Sequence, residues 1–374
     1  MFVATAGLVL PTTVTGSWPR PSWFTAGLGG RTVSAGLNDL TFREQFTDAL
    51  QVVVGDQERA GLDILSNGDY HHDHDLAGRS WMMYPLERVG GCARGEVDIP
   101  ANQEEYPPGS ILGDIFADWR YPPVVARIHE GLPLEYARIW QAAQERASRP
   151  VKMGVVSAQP LSNIAMMHTD EYSDRRELLW DLAGIMNAEL RRLAAAGCTV
   201  IQVEEPSIHW RAADGHDLGY VNFLVDCLNR EVEGLSDVEV WVHTCWGNPA
   251  MQRSHDITDY GPSLELFMER ANVDVWTIES KDRAHAPLPL FQRYKDGFPA
   301  KKIAVGMVSH RSVQVESTEE IARDVRYALQ YIPAENLILS SDCGFGRQGL
   351  SRITAYHKAA ALSRAAARVR DELN

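Results

Sequence analysis

Eight short runs rich in β-branched and aromatic residues recur along the chain, near 11–16, 62–67, 151–157, 199–204, 237–243, 273–278, 302–308 and 336–341. Between most of them lie amphipathic stretches such as FREQFTDALQVVVGDQERAG, DRRELLWDLAGIMNAELRRLAAAG, YVNFLVDCLNREVEG and TEEIARDVRYALQYI, whose apolar residues return at helical spacing. Repeated strand-then-helix order with a matching strand count predicts an α/β fold, a single (β/α)8 TIM barrel. The Ala-rich end, ITAYHKAAALSRAAARVRDEL, predicts a closing helix. With 374 residues and 45% hydrophobic content the chain can bury a large core, so residues 1–374 are expected to form one elaborated barrel domain.

The main irregularity is residues 70–133, where YHHDHDLAGRSWMMYPLERVGG leads into EEYPPGSILGDIFADWRYPPV without a sustained helical period. This stretch reads as a structureless insertion after the second strand, opening onto the active face as a lid or an oligomer arm. His71, His72, Asp73, His74 and Asp75 suggest a second metal, but adjacent loop residues seldom face one point. A solvated or substrate-capping loop is the expected outcome.

A formal charge of −14 argues against a nucleic-acid surface or an acidic membrane as partner, a local basic patch aside. Five cysteines form an odd count without small-scaffold spacing, so a disulfide framework is not expected, and reduced thiols point to the cytoplasm. The opening MFVATAGLVLP lacks a basic flank, and no apolar run reaches the roughly 18 residues of a membrane span.

Three of the strand-like runs end in metal-ligand residue types: His243 and Cys245 in WVHTCWGNP, Glu279 in VDVWTIES, and Cys343 in LILSSDCGFG. Two thiols, an imidazole and a carboxylate have the softness that tetrahedral Zn2+ accepts, whereas calcium or magnesium would want oxygens. Taken singly, a Cys after a buried strand is more often a small core residue than a ligand. Four donors at corresponding strand ends carry the metal reading.

Further ordered motifs accompany these residues: TTVTGSWP from Thr12 to Pro19, LDILSNGD ending at Asp69, and VIQVEEP ending at Pro206. Together the series resembles the C-terminal catalytic domain of cobalamin-independent methionine synthase, over nearly the whole chain and in the family's order. The resemblance implies a methyltransferase of methionine biosynthesis, with zinc held by His243, Cys245, Glu279 and Cys343. It implies that Asp69 and Glu204 grip the ammonium of a homocysteine-like thiol and that Ser17 contacts its carboxylate. The two acidic lengths are swapped relative to the family, although both charges survive. Coordination to Zn2+ would turn a substrate thiol, with a usual pKa near ~8.5, into a nucleophilic thiolate at neutral pH.

Two departures concern the other participants. The strand-seven loop of the family resembles Asp-x-His-Ser, whereas this chain reads Ser309-His310-Arg311-Ser312. His310 is the expected catalytic acid, and Arg311 is expected to clamp a substrate carboxylate, sulfonate or phosphate. Folate-using members also carry a second, N-terminal barrel and a Trp in the fourth-strand segment, and VKMGVVSAQPLSN has no Trp. These departures argue against methyltetrahydrofolate as donor; the expected partners are a small-molecule thiol and a methyl or alkyl donor whose identity stays open, a methyl-corrinoid protein among the candidates. Oligomeric state stays open, a homo-oligomer included.

Two other readings stay open at this point. One is an epoxyalkane:coenzyme M transferase, in which a zinc thiolate opens an epoxide. The other is a non-catalytic, zinc-stabilised thiol-binding barrel; a closed site would favour it, whereas Glu279 as a replaceable oxygen ligand favours catalysis.

Overall fold

The computed structural model describes residues 2–31, 33–71, 79–93, 99–100, 113, 120–247, 253, 255, 259–346 and 349–373. Four strand runs, Val151–Val156, Glu239–Thr244, Lys302–Val308 and Leu337–Ser341, are buried at every position. Continuous burial is what parallel strands acquire when side chains fill a barrel on one face and helices cover the other. Among the described residues these strands belong to one curled, seven-stranded sheet. It consists of β1 (Leu65–Ser66), β2 (Val151–Val156), β3 (Val200–Glu204), β4 (Glu239–Thr244), β5 (Val275–Ile278), β6 (Lys302–Val308) and β7 (Leu337–Ser341), paired in parallel and in chain order.

The first expected strand, 11–16, shrinks to a single parallel bridge between Thr12 and Leu339. Pro11 has no N–H to donate and Gly16 turns with φ +58°, so the run has little room for a ladder. It still links the two edges of the sheet. Thr13 N donates to Leu339 O and Leu339 N to Pro11 O, both at 2.9 Å, while Asp63 N and Ile64 N donate to Thr12 O at 3.0 Å.

One end of the barrel is floored by the N-terminal residues. Phe2 and Ala4 pack on an inner layer of Ile64, Val200, Trp241, Val275, Ala304 and Ile338. Glu239 accepts the N–H groups of Val3 (2.8 Å) and Thr5 (2.6 Å), and Lys302 Nζ donates to Thr5 O at 2.8 Å. The chemistry-bearing residues sit at the opposite, C-terminal strand ends.

Helices cover the outside where their signals are strong. The helix Leu40–Ala60 starts on Asp39, whose carboxylate accepts from Thr41 N, and stops at left-handed Gly61. Arg175–Ala195 is capped by Asp174 and Thr318–Ala328 by Ser317, and the closing helix runs from Arg352 to Leu373. Beside β5 the connections are short turns instead, at Leu266–Arg270, Lys281–Arg283 and Leu288–Tyr294. No described helix is long and apolar enough to cross a membrane.

The insertion is not structureless. It holds a helix, Arg79–Leu86, and two antiparallel pairs, Gly90–Cys92 with Val124–His129 and Ile99–Pro100 with Arg120–Tyr121. Pro85 and paired glycines hide these elements from a search for periodicity. His72, Asp73, His74 and Asp75 lie outside the described residues. His71 packs edge-on against Phe46 with centroids 4.8 Å apart, and burial pulls its pKa down to about 3.

Candidate active site

His243 and Cys245 are two residues apart at the end of β4, so strand alternation sends both side chains the same way. Cys343 arrives two residues beyond β7. The ligand atoms of His243, Cys245 and Cys343 all lie within 4.8 Å of one another. His243 is 1% exposed, and neither of its ring nitrogens has a hydrogen-bond partner. Leaving such groups buried and unsatisfied costs about 1–3 kcal/mol each. One nitrogen and two sulfurs converging at a buried point fit a zinc ion, which would relieve that cost.

Electrostatics at this cluster run in the same direction. The neighbouring Cys343 thiol, together with His243 and against the effect of burial, holds Cys245 well below the usual thiol range. Burial opposes charge on His243, but Glu204, with its Oε2 3.8 Å from Nε2, and the Cys245 sulfur raise its pKa overall.

Glu279 stands apart from these three. Its carboxylate is 0% exposed and accepts from Arg311 Nη1 at 2.7 Å and from Trp246 N at 3.1 Å. It groups instead with Asp282, His310 and Asp342. Burial pushes Glu279 up, Arg311 pulls it down, and the Cys245 sulfur pushes up again. Asp342, unremarked in the sequence, accepts backbone N–H groups from Ser280 (2.7 Å), Lys281 (2.8 Å) and Asp282 (2.7 Å). It thereby ties the segment after Glu279 to the residue before Cys343.

His310 and Arg311 reach the same region from the end of β6. Arg311 donates its second Nη to Gly247 O at 2.6 Å, so both Nη atoms are engaged by the protein itself. His310 is fully buried, with Nδ1 3.4 Å from Asp282 Oδ2. Burial, then Arg311, keep its pKa well below the usual histidine range, so the ring rests neutral. The loop is anchored from behind, where Glu316 accepts Ser309 N at 2.8 Å and pairs with Lys358 at 2.9 Å.

Ser17, Asp69 and Glu204 converge beside Gly16. A Cβ on Gly16 would lie 2.7 Å from Asp69 Oδ2 and 4.0 Å from Glu204 Oε1, so glycine lets both carboxylates close on the turn. Ser17 Oγ is buried with no hydrogen-bond partner, and a Cβ on Gly344, next to Cys343, would overlap it. The strand ends therefore bring the three expected substrate contacts next to the His-Cys-Cys cluster. Lys152 and Gln202 lie beneath them and were passed over in the sequence, although a lysine inside the apolar run VKMGVV was a visible signal. Burial lowers Lys152 to about 7, against the pull of Glu204 and Asp69.

Comparisons with known proteins identify the family. Residues 110–367 match the family described as the cobalamin-independent synthase catalytic domain. Among similar sequences, methionine synthase of Sulfurisphaera tokodaii is 26% identical, with 98% of this chain and 94% of the relative covered. That of Saccharolobus solfataricus is 29% identical, with 98% and 96% covered. The structure resembles a B12-independent methionine synthase from Shewanella sp. W3-18-1 in complex with selenomethionine, at TM-score 0.74 and 25% identity over 98% of this chain and 99% of that one. With its family matched over most of its length, this chain belongs to the cobalamin-independent methionine synthase family, in the form of its catalytic domain.

Proposed function

We propose that the protein is a zinc-dependent homocysteine methyltransferase. The observation that carries this reading is the buried convergence of His243, Cys245 and Cys343 within 4.8 Å, beside a pocket edged by two carboxylates. His243, Cys245 and Cys343 would hold the ion, with Glu279 as the exchangeable fourth donor. When bound, zinc supplies a Lewis acid that keeps a thiol sulfur deprotonated at neutral pH.

The chain's own residues do the rest. Asp69 and Glu204 present two negative charges to one point, an arrangement that favours a ligand carrying an ammonium group. Ser17 Oγ, buried and unpartnered, offers a hydrogen bond to a carboxylate of the same ligand. An amino acid fits these contacts, and the adjoining sulfur-rich cluster selects one with a thiol. The rigid strand ends hold sulfur and the incoming methyl carbon in line, which is where an in-line displacement gains most from orientation. As the sulfur–methyl bond forms and the methyl–donor bond breaks, His310 passes the departing group a proton such as the thiol gives up on binding, and Arg311 holds Glu279 until the metal recruits it.

Calorimetry on zinc-loaded protein separates this reading from the epoxide-opening one. Homocysteine is expected to bind more tightly than 2-mercaptoethanesulfonate, and Asp69→Asn to erase the preference. Tighter binding of the sulfonate would overturn the proposal, because two carboxylates repel it.

A further inference from the structure

Building on the homocysteine reading above, we propose that Lys152 is a positioning residue beneath the amine pocket, fixing Glu204 through Gln202 so that the site selects a thiol with an ammonium group. Lys152 lies in β2 at 1% exposure, and its Nζ donates to Gln202 Oε1 at 2.7 Å. Gln202, 0% exposed in β3, donates Nε2 to Glu204 Oε1 at 2.6 Å. The Lys152 ammonium also lies 5.1 Å from the centre of the Trp241 ring.

The polarity of this chain is what gives it consequences. A carboxylate only accepts, so Gln202 must turn its NH2 toward Glu204 and its oxygen the other way. That oxygen is then buried and needs a donor, which Lys152 supplies. Without Lys152 that oxygen is left buried with no donor, so the arrangement in which the amide holds Glu204 is weakened from behind. Gln202 and Glu204 share one strand two residues apart, so both side chains point to the same side of β3 and the link is direct. It also leaves Glu204 Oε1 beside Gly16 and Asp69, where the ligand's amine would sit.

A lysine is a poor choice as mere filling for a barrel. Its burial without a carboxylate in hydrogen-bond contact is disfavoured, and a methionine of similar length would pack the same space. Its place is explained if the charge and the donor serve the two acidic groups above it.

The test is the charge preference of the zinc-loaded protein, read by calorimetry with L-homocysteine and with 4-mercaptobutyrate, which lacks the ammonium. Lys152→Met is expected to reduce the preference for homocysteine about tenfold while leaving affinity for 4-mercaptobutyrate nearly unchanged. A general loss of structure would weaken both ligands together. Gln202→Leu breaks the same link from its middle, should the lysine variant fold poorly, and is expected to give the same selective loss. If Asp69→Asn erases the preference but both Lys152→Met and Gln202→Leu retain it, the role of Lys152 is overturned and the homocysteine reading stands. If the native protein shows no preference at all, both fall.

Discussion

Arg311 Nη1 lies 2.7 Å from Glu279 Oε1, and the two side chains are 14% and 0% exposed. A buried carboxylate held this closely is not idle: any metal that recruits Glu279 must compete with a guanidinium for it. Arg311→Met removes both the competitor and a positive charge. The variant is expected to bind zinc about three- to tenfold more tightly in a chelator competition. Weaker zinc binding would show instead that Arg311 supports the site.

Donor type sets a second expectation. Cys245→Ser and Cys343→Ser each replace a soft thiolate by a neutral hydroxyl at the centre of the cluster, and should lose most of the zinc measured by elemental analysis. Glu279→Gln should weaken zinc binding less, because three strong donors remain. Full zinc retention in both serine variants would contradict the ligand assignment.

Glu205 links the site to stability. Its carboxyl is buried, accepts N–H groups from Ser207 (2.9 Å) and Ile208 (3.2 Å), and receives a hydroxyl from Ser157. Burial pushes its pKa from 4.5 up to about 7. The folded state thus keeps a proton that the unfolded chain releases at lower pH. The associated stability is full below pH 4.5 and is lost as pH rises through about 7. Glu205→Gln keeps a neutral acceptor, so urea denaturation should find the variant more stable than the native protein at pH 8, by on the order of 3 kcal/mol. A variant less stable at that pH would mean that the ionised carboxylate is needed.

The barrel was legible because parallel strands buried on both faces leave continuous β-branched runs, and all eight expected positions are found in the sheet or at its seam. What escaped was set by tertiary contacts. The run at Thr12 has the composition of a strand but forms only a bridge, and the helix Arg79–Leu86 is disguised by Pro85. His243, Cys245 and Cys343 meet as the strand ends implied, whereas the pairing of Glu279 with Arg311 depends on a partner 32 residues away. Asp342 shows the same limit, since its three backbone donors belong to another loop and leave no local trace in sequence.

The most direct measurement is X-ray absorption at the zinc edge of the loaded protein, with and without homocysteine. Homocysteine is expected to add one sulfur to the two thiolates of Cys245 and Cys343, replacing the Glu279 oxygen, and 2-mercaptoethanesulfonate to do so less readily. An unchanged zinc environment at saturating homocysteine would contradict it.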